Sequence, residues 1–586
     1  MIPALCAALV LLGIAGGLYK VHFPPGPVAD EATYVMMAQS LWHDHDLRYE
    51  DRDLARAYNL WDFGPHGLIL FTTDGGETMF YGKPFVYSLA ALPFYGLFGV
   101  QGMLIFNMFL FLAMAGYGWW FLRRQEGLGG LYVAGFFFAS AAFIYVFWIQ
   151  PEVFNMACVF FSLAIWLQVR AAATWTRRHY LGMGLVGLLL AAAFVSKEPV
   201  AIFALPIGID LLWSRRLKAL PALGVATLAG ILGLTALVGL QLQQSDRWSP
   251  YRDVQRRSFE NSYPLEMAGD PWDLYKGTSF GSWNRLPIET NPRVIARDVL
   301  YFFVGRHTGL LPYFPFALFA LALFLAGPRD RGRWLLLGAV AGYCLLLLLV
   351  RSHNYHGGAG FIGNRYFASI YPALFFLPAT FKVRGALVAP FAAAALWIAP
   401  VLAVPVQQIA PEFGLQVHAR TAAFQALPLE LTLLRSGMIP GYWIKPWGGG
   451  VWITPRQNFF AQEDNPTGVW VRGGSQSEVF VVSSEPLDAL RFSVQSLSGR
   501  NVLTLDSGVA EVRVRFDTAA KRQGTPIVLP LGEPYARSLD GFVYGKPEYY
   551  YRLTLSTTDG MIPMRNLPDS QDLRYLGVFL DFTAGS

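Results

Sequence analysis

Apolar runs long enough to cross a bilayer recur over the first 405 positions, separated by short polar connections, and after about residue 406 the pattern changes to brief alternations of period two. Hydrocarbon offers backbone N–H and C=O groups no hydrogen-bond partner, so each long run must be a helix, and about 20 residues are needed to span. Spans are expected at 2–21, 101–122, 129–149, 153–170, 180–196, 199–213, 219–241, 310–327, 334–350, 366–381 and 385–405. A further run at 85–100 is short, follows Pro84 and carries Pro93, Gly96 and Gly99. It is expected to lie along the interface or re-enter, which leaves eleven crossings.

The carboxy-terminal pattern is all-β. Strand-like alternations fall at Val469–Val471, Glu478–Val482, Leu490–Val494, Val502–Leu505, Glu511–Phe516, Ile527–Leu531, Tyr549–Leu555 and Val578–Phe582, divided by Gly, Ser, Asp and Pro turn signals. Eight short strands at this spacing suggest a jelly-roll-like sandwich. GYWIKPWGGGVW at 441–452, with Trp443, Trp447 and Trp452, reads as a junction at the membrane surface, where Trp is favoured. The expected organisation is a membrane domain over 1–405, a junction over 406–459 and an external β-sandwich over 460–586.

Orientation follows from Lys and Arg, because positive loops stay cytoplasmic. Alternate short connections carry Arg123/Arg124, Arg170/Arg177/Arg178, Arg215/Arg216/Lys218, Arg329/Arg331/Arg333 and Lys382/Arg384, while the opposite side has Lys197, Arg351 and Arg365. With eleven spans the amino terminus is inside, and the loops 22–84 and 242–309 and everything after residue 405 lie outside. The first run reads as a signal anchor, since no small-residue cleavage site follows it cleanly. The expected location is a bacterial inner membrane, with the chemistry on the periplasmic face.

Composition agrees: of 586 residues 54% are hydrophobic and 15% charged, and the mean hydropathy is +0.36. The net charge of +6 is largely the cytoplasmic rim, so nucleic acid is not an expected partner. Cys6, Cys158 and Cys344 all fall inside expected spans and imply neither a disulfide framework nor a thiolate metal site.

Candidate chemistry concentrates at the external rim. Loop 22–84 holds ten acids, four Lys or Arg and four of the nine histidines, most of which a solvated loop explains. Asp30-Glu31, in ADEATY, is different, because charge held close to a bilayer is costly and marks function. YGKPF then sets Tyr81 and Lys83 before the next apolar element, WIQPE sets Glu152 at the outer end of a span, and HNYHGGAGFIGNRYF sets His353, His356, Asn364 and Arg365 before another. Carboxylates suit a base or metal ligands; Lys and Arg suit a phosphate.

The order and common sidedness of ADEATY, GKPF, QPE, SKEP and GNRYF resemble the GT-C glycosyltransferases that use polyprenyl-phosphate sugars, such as lipid A aminoarabinose transferases and protein O-mannosyltransferases. The resemblance covers roughly 1–405. It implies a catalytic base or metal-binding acid at Asp30 with Glu31 beside it, a lipid-phosphate contact at Lys83, and a second acid at Glu152 that shares a metal or positions the acceptor. The sequence departs from the family in carrying Phe85 where many relatives have proline, and Glu152 where they often have aspartate. A divalent metal ion, held by Asp30 and Glu152, is the one cofactor it suggests. The implied donor is a polyprenyl-phosphate-linked sugar, the acceptor a cell-envelope glycan, lipid or protein, and the surroundings membrane lipid. A sugar on a lipid phosphate already carries its leaving group, so deprotonating an acceptor hydroxyl and stabilising the departing phosphate suffices, and inversion without a covalent intermediate is expected.

Other residues have two readings. Lys197, in SKEP, could touch the carrier phosphate or snorkel from a helix end. Arg365 and Arg306 could hold phosphate or be interfacial arginines. His353 and His356 stand at i, i+3 without a nearby third ligand, which favours hydrogen bonding or sugar contact over metal. Loop 242–309, rich in Trp, Tyr, Arg and Asn, suits either a substrate lid or an interfacial aromatic belt.

Two other classes fit the span count. A transporter or flippase would place ionisable groups mid-membrane in broken helices and show repeated halves, whereas here the charges sit at the rim. A non-catalytic glycan-binding assembly protein would not need eleven spans as an anchor.

Overall fold

The computed structural model describes residues 29–581 except 61–64, 123–128, 260–277, 281–287, 358–361, 379–387, 404–420, 431–450, 539–547 and scattered shorter positions. The expected first span, 2–21, lies outside the described residues, as do Trp443 and Trp447.

Five helical stretches are long and apolar enough to cross a membrane: Val100–Leu122, Glu152–Ala171, Arg177–Ser196, Glu198–Ser245 and Arg331–Val350. The fourth is too long for one crossing. It turns at Arg216, whose φ is 51°, into the helices Ala204–Arg215 and Leu220–Ser245. A sixth, expected as one straight span over 129–149, is broken into Gly129–Phe138 and Ala141–Phe147, bent by 58°. Ser140 marks the break, its hydroxyl donating back to the carbonyls of Phe136 (3.0 Å) and Phe137 (3.2 Å).

Three further expectations change. The 310–327 run is interrupted at Phe314 because Pro315 cannot continue the preceding turn, leaving a helix Pro315–Ala326. The 366–381 run is not a crossing helix: Arg365–Ala368 and Tyr371–Phe376 are short turns, and Pro372 falls in the second. Its apolarity serves burial within protein, with Tyr371 stacked on Phe136 at 4.1 Å and Phe375 against Phe137 and Phe160. The last run contributes the 15-residue helix Val388–Leu402. The 85–100 run forms Val86–Phe98, whose 13 residues reach about 20 Å, less than the hydrocarbon thickness. The five or six crossings found among the described residues fall short of the eleven expected.

Loops 22–84 and 242–309 are joined by one antiparallel sheet, in the order Met79–Tyr81, Leu68–Thr72, Gln255–Phe259, Thr278–Phe280. The sheet ties loop 242–309 to loop 22–84.

All eight expected carboxy-terminal strands form, joined by Val451–Pro455, Glu463–Asp464 and Ala536–Ser538. They make a six-stranded and a five-stranded antiparallel sheet. Val469, Val481, Phe492, Leu505, Leu553 and Leu580 pack between them as one core. The strand Gln476–Ser483 is apolar on both faces: Val479 and Val481 face that core, while Phe480 and Val482 join Tyr550 in the core of the helical region. The sandwich therefore docks directly on the helices.

Candidate active site

Helix ends set the charges. Asp30 and Glu152 are the first residues of Asp30–His43 and Glu152–Ala171, where exposed N–H groups and the helix dipole favour an anion. Lys197 follows the last residue of Arg177–Ser196, where a cation is favoured. Lys83 leaves the strand Met79–Tyr81 after Gly82, whose N–H donates to the Ile69 carbonyl at 2.8 Å. Arg365 opens a turn that Asn364 caps, its Oδ1 accepting from the Phe367 N–H at 2.9 Å. Gly363 allows the chain to enter that turn at φ 65°, against the Tyr313 ring.

These side chains meet in an unbroken series. Lys83 Nζ lies 2.6 Å from Asp30 Oδ1, and Asp30 Oδ2 lies 2.8 Å from Arg365 Nη2. Arg365 Nε lies 2.7 Å from Glu152 Oε1, which also accepts from Lys197 Nζ at 2.7 Å. Lys197 in turn donates to Ser369 Oγ at 2.8 Å. Three cations thus alternate with two acids, on five separate segments and largely out of water. Such a chain tolerates burial only because each charge has a partner.

Around it the cation excess grows. Arg256, on the shared sheet, sits 4.6 Å from the Tyr251 ring centre and is electrostatically coupled to Asp30, while Lys197 lies 5.3 Å from the Tyr366 ring centre. Arg252 pairs with Glu198 at 2.7 Å, and Arg351 interacts with Tyr366, Tyr251 and Glu198. A dianionic or monoanionic phosphate would find matching positive charge here.

Burial alone would raise the Asp30 pKa, yet the charges of Lys83 and Arg365 prevail and hold it far below the usual carboxylate range. Burial lowers the Lys83 ammonium against the pull of Asp30, and it brings Lys197 down to about 8.

The remaining expected residues fall nearby or elsewhere. Glu31 Oε1 accepts the Ile149 N–H at 3.0 Å and so ties the first loop to the WIQPE turn. His356 is buried, and its carbonyl accepts the Arg365 N–H at 2.9 Å. The side chain of His353 lies outside the described residues. Tyr81 packs against Tyr49 and contacts Asp53, which pairs with Arg56, and is not part of the Lys83–Lys197 series. Arg306 is not brought into the series; its guanidinium donates to the Leu427 carbonyl at 3.1 Å and covers the Tyr535 ring. Tyr251 and Arg256 were missed as site residues; QRRSF shows no apolar alternation, and only its pairing with Leu68–Thr72 brings Arg256 to the site. Among the described residues no group of three or more His, Cys, Asp and Glu side chains gathers, and Asp30 and Glu152 face cations, so this donor set does not fit a divalent ion.

No protein-family model and no curated protein matches the chain. Among solved structures it is similar to ArnT from Cupriavidus metallidurans in the apo state, at 15% identity and a TM-score of 0.38 over 64% of this chain and 58% of that one. The same protein bound to undecaprenyl phosphate matches at 12% identity and a TM-score of 0.41 over 74% and 76%. Arabinosyltransferase EmbB from Mycobacterium smegmatis matches at 12% identity and a TM-score of 0.31 over 98% and 64%. The chain therefore spans less than two thirds of the apo ArnT and EmbB chains. Overlaps this loose leave the functional reading to the side chains.

Proposed function

We propose that the chain is an integral-membrane glycosyltransferase that moves a sugar from a polyprenyl-phosphate donor to a cell-envelope glycan, lipid or protein acceptor on the external face. The observation that carries this reading is the series Lys83–Asp30–Arg365–Glu152–Lys197, with its surplus of positive charge at the outer ends of helices. Residues 1–405 form the membrane-embedded catalytic domain in this reading, and 460–586 position the acceptor.

While Lys83 and Arg365 both touch Asp30, its carboxylate is a weak base. A donor phosphate that takes up the two cations frees Asp30 and raises its affinity for a proton. Asp30 then removes the acceptor hydroxyl proton as that oxygen attacks the anomeric carbon. The bond from that carbon to the phosphate oxygen breaks, the electron pair leaves on the phosphate, and the proton stays on Asp30. Lys83, Arg365 and Lys197 stabilise the departing charge. Binding order follows: donor first, acceptor second.

The test is release of polyprenyl phosphate from a polyprenyl-phosphate sugar by the purified, reconstituted protein together with envelope extract. Sugar transfer that depends on both Asp30 and Lys83 supports the reading; transport of the intact lipid-linked sugar across the vesicle without release contradicts it.

A further inference from the structure

Outside the ion-pair series, one buried carboxylate, Glu430, binds a loop together. Glu430 follows the segment Thr421–Pro428, and its Oε1 accepts three hydrogen bonds, from His307 N–H (2.8 Å), Thr308 N–H (2.6 Å) and Thr308 Oγ (2.9 Å). The fit is tight: a Cβ on Gly305 would come within 2.2 Å of that oxygen. The same two segments are joined again by Arg306 N–H to the Pro428 carbonyl at 2.9 Å. Phe424, packed on Trp397 and Tyr313, anchors the segment from which Glu430 extends.

The loop that Glu430 grips leads to Arg365 by three routes. The His307 carbonyl accepts the Gly363 N–H at 3.1 Å, two residues before Arg365. Thr308 Oγ lies 3.4 Å from Tyr355 OH, next to His356, whose carbonyl holds the Arg365 N–H. The Arg306 carbonyl also accepts from Tyr313 OH at 2.8 Å, and the Tyr313 ring is the wall against which Gly363 turns.

We propose that Glu430 is a positioning residue for Arg365: by fixing loop 305–308 it fixes the 363–365 turn, and through it the guanidinium that bridges Asp30 and Glu152. The proposal rests on the reading of Arg365 as a donor-phosphate contact, and it extends the site to the polypeptide that leads into the β-sandwich. Burial lifts the Glu430 carboxyl to about 7, in keeping with an acid whose role is to accept hydrogen bonds rather than to pair with a cation.

The test combines hydrogen exchange with a double-mutant cycle. In folded Glu430→Ala, amide exchange over 363–368 should quicken and polyprenyl-phosphate affinity should fall about 10-fold, the scale of one or two lost hydrogen bonds. In an Arg365→Ala background the same change should alter affinity less than about 2-fold, because the two act as a unit. Glu430→Gln, which keeps an acceptor oxygen, should stay within about 3-fold of the parent. If Glu430→Ala does not fold, Thr308→Val removes one donor and gives the same readouts in smaller measure. Unchanged exchange over 363–368, or equal affinity losses in both backgrounds, overturns the proposal. Should Arg365→Ala leave polyprenyl-phosphate binding untouched, the functional reading fails, while exchange at 363–368 still decides whether Glu430 positions the turn.

Discussion

Arg365 Nε and Glu152 Oε1 are 2.7 Å apart although 213 positions separate the two residues in the chain. Arg365 reaches Asp30 with the same guanidinium, so one side chain joins the start of the Asp30–His43 helix, the start of the Glu152–Ala171 helix and a late turn.

Removing one member of that series leaves its partners as buried, uncompensated charges. Glu152→Gln should therefore lower stability by about 3–5 kcal/mol, read as a fall in the melting temperature of the detergent-purified protein. Glu152→Gln combined with Lys197→Met, which removes a charge of each sign, should cost less than the two single changes added together.

Asp30→Asn keeps the shape of the side chain and removes the base. Turnover should fall about 100-fold or more, in line with general-base contributions, while polyprenyl-phosphate binding persists because Lys83 and Arg365 lose a competing anion. Near-normal turnover in the folded variant would sink the assignment and move it to Glu31.

Lys197 carries its proton up to about pH 8, against an ordinary lysine value of 10.5. As pH rises through 8 the folded protein loses this charge before the unfolded chain would, so the Glu152 partner weakens and donor binding should fall. Stability has the opposite sign: because the folded state disfavours the charged amine, the penalty is full below pH 8 and is relieved as pH rises toward 10.5. Lys197→Arg should abolish the decline in lipid binding between pH 8 and 10. A wild-type binding curve flat to pH 10 would contradict this.

Deleting 460–586 strips Phe480, Val482 and Tyr550 from the core they share with the helices. The truncated protein should melt lower and lose transfer to its acceptor while retaining polyprenyl-phosphate binding. Full transfer activity in a folded truncation would remove the sandwich from acceptor positioning.

The strands were legible because period-two alternation is local, as in Leu490–Val494, but the burial of Gln476–Ser483 on both faces was not, because it depends on where the sandwich packs against the helices. Crossings were legible where a run is unbroken, as over Val100–Leu122. They were misread where apolarity means burial in protein, as at Tyr371–Phe376, since hydropathy does not distinguish lipid from a neighbouring helix. Asp30, Lys83, Glu152, Lys197 and Arg365 were readable as rim charges near motifs. Arg256 and Glu430 were not, because their roles depend on pairings between loops far apart in sequence.

The most direct measurement is equilibrium binding of a polyprenyl phosphate to the purified protein and to its Lys83→Ala and Arg365→Ala variants. Saturable binding by the parent, weakened about 10-fold or more in each variant at constant fold, is the expected result for charge-assisted contacts with a phosphate. Equal affinity in all three proteins would contradict a phosphate site at this cluster.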